Sequence, residues 1–322
     1  MGSWAHAHRL QQEDTPLWDL PEGKQKLELK AMTSVLVLGA DGMLGAMVAS
    51  VLASNSELQV VASTRHGGHG TLAFDAGRDS IAEFLDAAAC EWIVNAIGVL
   101  ERRINEDDPN SIATAIEVNA AFPHRLAAAA ARGRFVIQIA IDGVFSGQNA
   151  PYNERALHDA EGVYARSKSL GEVRSANAVT LRCSIIGPEP PLGRSLLGWA
   201  LSRPPGTAIS GYTNHRWNGI TTLHLAKLCA GIILSDHHHL RSLWHVVPGD
   251  SVSKAELIQM MLAAFERGDV TVKPEPAAVA VDRTLGTIDP DVNRHLWTAA
   301  GYPAPPTVAE MVQELAQFVT RS

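Results

Sequence analysis

The sequence predicts an α/β fold: a doubly wound parallel sheet with a smaller, partly helical C-terminal lobe. Three observations predict it. From Met32 to residue 187, short apolar runs alternate with segments of helix length. The first apolar run, Val35 to Leu38, passes into a helix through three glycines, Gly39, Gly42 and Gly45. From Pro188 the composition shifts, with Pro188, Pro190, Pro191, Pro204 and Pro205 interrupting the pattern.

In chain order, strands are expected over 34–39, 58–63, 71–74, 91–97, 134–140 and 178–186. Helices are expected over 43–53, 79–89, 109–132 and 162–175. Continuous apolar strands of this kind are buried on both faces of a parallel sheet, and the connections are right-handed crossovers. Residues 32–187 form the expected nucleotide-binding domain, and 188–322 the substrate-binding lobe. The lobe is read with helices over 194–202, 222–234, 253–266 and 307–319. The segment 222–247, with a strand at 243–247, is a candidate to return to the large domain. Residues 1–31 are polar and charged and lack the apolar centre of a signal peptide. They read as an extension or tag, expected to be disordered.

The glycine run is the first chemical signal. Gly39 permits a tight turn, Gly42 lets backbone approach a phosphate, and Gly45 lets the helix pack close to the strand. The free N–H groups at that helix start favour an anion. Gly39, Asp41, Gly42, Met43, Leu44 and Gly45 are therefore candidate cofactor residues, making the sheet a Rossmann-type one. The second strand ends in Ser63-Thr-Arg65-His66, with no carboxylate for a ribose 2′-hydroxyl. Arg65 suits a 2′-phosphate instead, so NADP, as NADPH, is favoured over NADH. Asp75 is placed either to accept from an adenine amine or to cap the helix that starts near residue 79.

Tyr164-Ala-Arg-Ser-Lys168 is the second signal. Positions i and i+4 share a helix face. An ammonium beside a phenol favours the phenolate and lowers the tyrosine pKa. Tyr164 then serves as proton donor to a carbonyl oxygen while hydride reaches the carbon. Nucleotide binding with a Tyr/Lys pair points to hydride transfer.

These stretches resemble, in order, the extended short-chain dehydrogenase/reductases, and within them the dTDP-4-dehydrorhamnose reductase-like branch. The matching pieces are the glycine loop, Asn95-Ala-Ile-Gly98, Val118-Asn119, Asp142-Gly-Val-Phe-Ser-Gly147, Tyr164 to Lys168 with Gly171-Glu172, Arg182-Cys-Ser-Ile-Ile-Gly187 and Trp217-Asn-Gly-Ile-Thr-Thr222. The resemblance spans about residues 33–318. It implies cofactor contacts at Asn95, Ala96, Ile97 and Ile185, besides Tyr164 and Lys168, and a catalytic or relay role for Asn119. It implies substrate contacts at Val99, Asp142, Val144, Phe145, Ser184, Arg216, Trp217 and Asn218. The implied reaction is reduction of the 4-keto group of a nucleotide-activated 6-deoxy sugar by a homodimer joined through helices 109–132 and 162–175.

One residue departs from the pattern. The family's catalytic Ser/Thr falls on Ile141, which has no hydroxyl. Losing such a donor slows a reaction ~10²–10³-fold. Three readings follow: a slow enzyme, a substitute donor (Ser146, Ser184 or a water), or a regulatory relative that binds NADP without turnover. An epimerase or dehydratase is a further alternative, although the glutamate that a dehydratase places beside Asp142 is missing.

The remaining signals are exclusions and weaker candidates. The net charge of −7 does not suggest nucleic acid as a partner. Three scattered cysteines, Cys90, Cys183 and Cys229, have no metal or disulfide spacing and fit a reducing cytoplasm. No apolar run reaches the ~18 residues of a membrane span. Asp236-His-His-His239 reads as a solvated turn, so no metal is expected. Arg102, Arg103, Arg194, Arg203 and Arg216 are candidates for a diphosphate, Arg216 foremost. Trp217 is placed either to stack on a ring or to pack in the core. Glu256 and Glu266 read as solvated charges.

Overall fold

A computed structural model describes residues 32–131, 133–189, 195–235 and 240–321. The expectations for 1–31, for Arg194 and for the 236–239 run lie outside the described residues.

Seven parallel strands form the central sheet. They are β1 (Thr33–Leu38), β2 (Leu58–Thr64), β3 (Leu72–Ala73), β4 (Trp92–Asn95), β5 (Phe135–Ile141), β6 (Ala178–Cys183) and, from late in the chain, β11 (Leu243–His245), in the order β11-β6-β5-β4-β1-β2-β3. Adjacent residues of one strand feed different cores. Val35 and Val37 of β1 join one apolar cluster, and Leu36 and Leu38 join the other. β4 divides likewise, with Trp92 and Val94 on one face and Ile93 on its opposite. This double burial makes the runs continuous rather than alternating. The order reverses at β1, between β2 and β4, which opens the crevice where such sheets bind ligands.

The flanking helices are α1 (Met43–Ala53), α2 (Ile81–Ala88), α3 (Pro109–Ala115), α4 (Phe122–Ala130) and α5 (Gly162–Leu170). The rest of the chain supplies α6 (Leu196–Leu201), α7 (Thr222–Leu234), α8 (Lys254–Ala264), α9 (Pro290–Ala299) and α10 (Val308–Arg321). α7 packs on α1. Glu314 of α10 bonds His224 and Lys227 of α7, and Tyr302, tying the last helix down.

Three expected elements are reshaped, each for a local reason. The single helix expected over 109–132 is divided by a π-helical turn, Ile116–Ala121, between α3 and α4. There the Phe122 N–H reaches Glu117 O, five residues back. Pro123 follows with no N–H to continue the ladder. The helix expected over 162–175 stops at Leu170. A Cβ on Gly171 would stand 1.8 Å from Asn119 O, so glycine there lets the two segments touch. The strand expected over 178–186 breaks at Ser184, whose carbonyl accepts from Ile220 N at 2.8 Å. Its remainder, β7 (Ile185–Ile186), pairs with β10 (Ile220–Thr221).

Small strands unseen in the sequence complete the C-terminal part. β8 (Ala208–Tyr212) pairs with β13 (Thr271–Glu275), and β9 (His215–Trp217) lies between β12 (Val252–Ser253) and β14 (Val281–Asp282). α9 was also unmarked, although Asp289-Pro290 is a helix-start signal: Asp289 accepts from the N–H groups of Asp291 and Val292.

Candidate active site

The glycine turn sits at the crevice. Gly39 N and Ala40 N donate to Ser63 O at 3.1 and 2.8 Å, anchoring the turn to β2. A Cβ on Gly45 would lie 2.1 Å from Gly39 O, so helix and turn close only with glycine there. α1 begins at Gly42 with no side-chain cap. Its first amides therefore remain directed outward, as an anion requires. Asp41 and Gly42 form the exposed rim, Met43 is half-buried, and the Leu44 side chain is buried in the core. Ser63 Oγ, buried beneath this turn, has no partner among the described residues. An open helix start beside an orphaned hydroxyl fits a dinucleotide.

Arg65 stands half-exposed, 3.9 Å from Asp75. Asp75 Oδ1 accepts from Gly77 N at 2.9 Å, which commits it to its own turn, while Ser80 caps α2. Asn95 is buried. Its Nδ2 donates to Gln138 Oε1 at 2.7 Å and its Oδ1 accepts from Ile97 N at 3.1 Å. It thus braces the Ala96-Ile97 turn through these two bonds. Ala96, Ile97 and Ile185 are half-buried.

α5 carries Tyr164 and Lys168. Tyr164 lines a cavity of ≈ 430 Å³ with Gly143, Ser146, Asp159, Glu161 and Arg283. Burial, then the charges of Asp142 and Glu101, push its phenol up to about 12. The expected lowering by Lys168 is absent, because burial and two carboxylates dominate. Lys168 instead donates to Ile139 O at 3.3 Å. Burial lowers its amine to about 8, opposed by Glu172. Tyr164 is therefore a protonated phenol at neutral pH, the state needed to give a proton to a carbonyl oxygen.

Asn119 sits inside the π turn. Its Oδ1 accepts from Val99 N at 2.8 Å, and its Nδ2 donates to Val99 O at 2.9 Å and Ser167 Oγ at 3.2 Å. It ties the loop after β4 to α5, one turn from Tyr164. π turns occur often at functional sites.

Ile141 ends β5 and packs against Val144, Phe145, Tyr152 and Leu285. Asp142 follows it. Burial raises the carboxyl pKa of Asp142, opposed by Arg283, Lys254 and a hydrogen bond from Ser184. Several expected substrate contacts are committed elsewhere. Val144 and Phe145 are fully buried, so their neighbours Gly143 and Ser146 reach the cavity instead. Arg216 donates to Ser251 O and Oγ at 2.8 and 2.6 Å and lies 3.9 Å from Glu256, fastening β9 to the start of α8. Trp217 is a core residue whose Nε1 donates to Ser184 Oγ at 2.8 Å. Asn218 exchanges hydrogen bonds with the Leu285 backbone at 2.7 and 2.9 Å. Glu256 also completes a capping box with Ser253 at the head of α8. Of the other arginines, Arg102 pairs with Glu189 at 3.2 Å and Arg203 donates to Trp199 O at 3.0 Å.

Sequence reasoning missed Lys254 and Arg283, which both act on Asp142, and the acidic lining formed by Glu101, Glu106, Asp159 and Glu161. The positions that carry them belong to no motif. Arg182 is fully buried and grips Glu172 with Nε and Nη2 at 2.8 and 2.5 Å. It also donates to His245 Nε2 at 2.7 Å and His158 Nε2 at 2.8 Å. Burial lowers the pKa of both histidines, which leaves them neutral acceptors. This network joins the end of α5 to β6 and β11. Among the described residues no cluster of three or more His, Cys, Asp or Glu is placed to hold a metal, and no helix is long and apolar enough to cross a membrane.

Residues 32–189 match the family model described as RmlD substrate binding domain. No curated protein matches the chain. Among solved structures, the chain is similar to a dTDP-4-dehydrorhamnose reductase from Clostridium acetobutylicum, at 17% identity and TM-score 0.70, covering 89% of this chain and 100% of that one. It is similar to the Bacillus anthracis dTDP-4-dehydrorhamnose reductase in complex with NADP, at 18% identity and TM-score 0.69, covering 90% and 99%. A UDP-glucuronic acid 4-epimerase from Bacillus cereus in complex with NAD follows at 14% identity and TM-score 0.65, covering 90% and 97%. The resemblance drawn from the motifs is borne out, and so is the doubly wound α/β fold.

Proposed function

From a chain whose residues 32–189 match the RmlD family, we propose an NADPH-dependent reductase of the 4-keto group of a nucleotide-activated 6-deoxy sugar. One observation carries the reading: a protonated, largely buried phenol, Tyr164, lines a cavity with Lys168 one helical turn behind it. The bound cofactor would supply the hydride. The first amides of α1 and the Gly39–Gly45 turn would hold its pyrophosphate, and Arg65 its 2′-phosphate. Hydride reaches the keto carbon while Tyr164 delivers its proton to the keto oxygen, so the products are an alcohol and NADP. Lys168 orients the ribose and carries positive charge beside the phenol. Asn119 keeps α5 in register with the loop at Val99. The rest of 188–322 forms the substrate lobe, while α7 and β11, within 222–247, return to the nucleotide-binding sheet. The protein works in the cytoplasm as a homodimer through the 109–132 and 162–175 segments, where Ile116 and Leu170 are exposed.

Ile141 favours one second reading, an NADP-binding relative without turnover. NADPH consumption with a dTDP-4-keto-6-deoxyhexose separates the two. Turnover that disappears in Tyr164→Phe supports the reductase. Tight NADPH binding with no turnover on any keto sugar supports the binding protein.

A further inference from the structure

α5 carries Tyr164, yet little core holds the helix in place. Of its nine residues only Ala165 and Ser167 are buried. Two small side chains remove little apolar area from water, so the placement of Tyr164 falls to polar tethers. One of them is Asn119, which binds Ser167 Oγ and the Val99 backbone on the C-terminal side of Tyr164.

The other end of α5 needs a second tether. Its N-cap, Glu161, makes no side-chain capping bond, and the first N–H groups of a helix have no partner within it. Glu106 supplies the acceptor from a distant turn. Its Oε1 accepts from Val163 N at 2.8 Å, across 57 positions of sequence. Val163 directly precedes Tyr164. A carboxylate at this end also suits the helix dipole. Gly162 permits the approach: its φ is +85°, and a Cβ there would stand 3.1 Å from Glu106 Oε1. Glu106 is itself held by its neighbours. Asn105 N donates to Ser111 Oγ at 2.8 Å, and Asn105 Oδ1 accepts from Asp107 N at 3.1 Å. Asp108 then caps α3. The carboxylate therefore stands on a fixed turn at the head of α3, and it lines the same cavity as Tyr164.

We propose that Glu106 is a positioning residue, capping the first turn of α5 from outside the helix and so holding Tyr164 at the reacting carbonyl. The inference rests on the reductase reading. Glu106 moves no proton in the step. It fixes the backbone from which the phenol extends, as Asn119 does from the other side.

The test compares Glu106→Ala, Glu106→Gln and the double variant Glu106→Ala with Glu161→Ser, each as the full chain with NADPH. The readouts are kcat and KM for a dTDP-4-keto-6-deoxyhexose, Tm, and amide hydrogen exchange at Val163 and Tyr164. Glu106→Ala is expected to lower kcat ~10-fold, with KM and NADPH affinity little changed, and to speed exchange at both amides. Glu106→Gln keeps an acceptor oxygen and should keep most of the rate. Glu161→Ser should restore much of the loss. Residue 161 already has the extended backbone of an N-cap (φ −96°, ψ 175°), from which a serine hydroxyl accepts from the second or third N–H. A lower Tm with kcat unchanged would overturn the proposal, leaving Glu106 a purely structural cap. A change confined to KM would overturn it in favour of a substrate contact. A loss recovered by neither Glu106→Gln nor Glu161→Ser would overturn it as well. In those three cases the wild type turns over and the reductase reading stands. Unchanged exchange at Val163 and Tyr164 in Glu106→Ala would overturn the proposal whatever the activity. A wild type inert toward every keto sugar would sink the reductase reading, and the positioning role with it.

Discussion

Lys168→Met should abolish turnover and stabilise the fold. Burial holds the Lys168 amine at about 8, against 10.5 for an ordinary lysine. At about 1.4 kcal/mol per pH unit, keeping it charged in place costs up to about 3 kcal/mol. The folded state binds this proton less tightly than the unfolded chain does. Below pH 8 both states are protonated and the whole penalty applies. Between about 8 and 10.5 the folded chain has shed a proton that the unfolded chain keeps, so the penalty fades, and it is gone above 10.5. Methionine keeps most of the packing volume. The one lost hydrogen bond leaves Ile139 O with a second donor, Gln138 Nε2 at 3.1 Å. Urea unfolding of wild type and variant at pH 7 should therefore favour the variant by about 2–3 kcal/mol. The gap should close toward pH 10.5. A variant less stable than wild type at pH 7, or a gap independent of pH, would refute the reasoning.

Other expectations follow from single contacts. Gly45→Ala places a Cβ 2.1 Å from Gly39 O. It should cost about 1–3 kcal/mol of stability and weaken NADPH binding, read as a lower Tm and a higher Kd. Arg182→Met strands the buried Glu172 carboxylate. It should destabilise by about 3–5 kcal/mol in denaturant unfolding, with Glu172→Gln recovering part of the loss. Arg65→Ala should weaken NADPH by ~10- to 100-fold and leave NADH affinity unchanged. An equal loss for both cofactors in calorimetry would remove the 2′-phosphate role.

The sequence revealed what is periodic or local and missed what is assembled from distant segments. The apolar runs of β1, β4, β5 and β6 were legible because each strand is buried on both faces. α1 and α7 were bounded to the residue, since glycine and threonine mark their starts. The π turn at Asn119 was not legible, because its cause is the missing N–H of Pro123 inside an otherwise helical pattern. β8, β9 and β13 escaped because strands of three to five residues give too short a pattern to count. At the site, spacing found Tyr164 and Lys168, and the missing hydroxyl at Ile141 is plain in the sequence. Arg216 drew attention as a cation in a loop, but its guanidinium is taken by Ser251. Lys254 belongs to no motif. Only folding lets its charge act on Asp142, more than a hundred positions away in the chain.

The central claim is hydride transfer to a sugar carbonyl with Tyr164 as proton donor. The most direct measurement follows deuterium from NADPH labelled at its reactive carbon into a dTDP-4-keto-6-deoxyhexose, by NMR of the product. The account predicts one deuterium at the former keto carbon, at a rate that collapses in Tyr164→Phe. NADPH that binds tightly yet leaves every sugar unlabelled would contradict it.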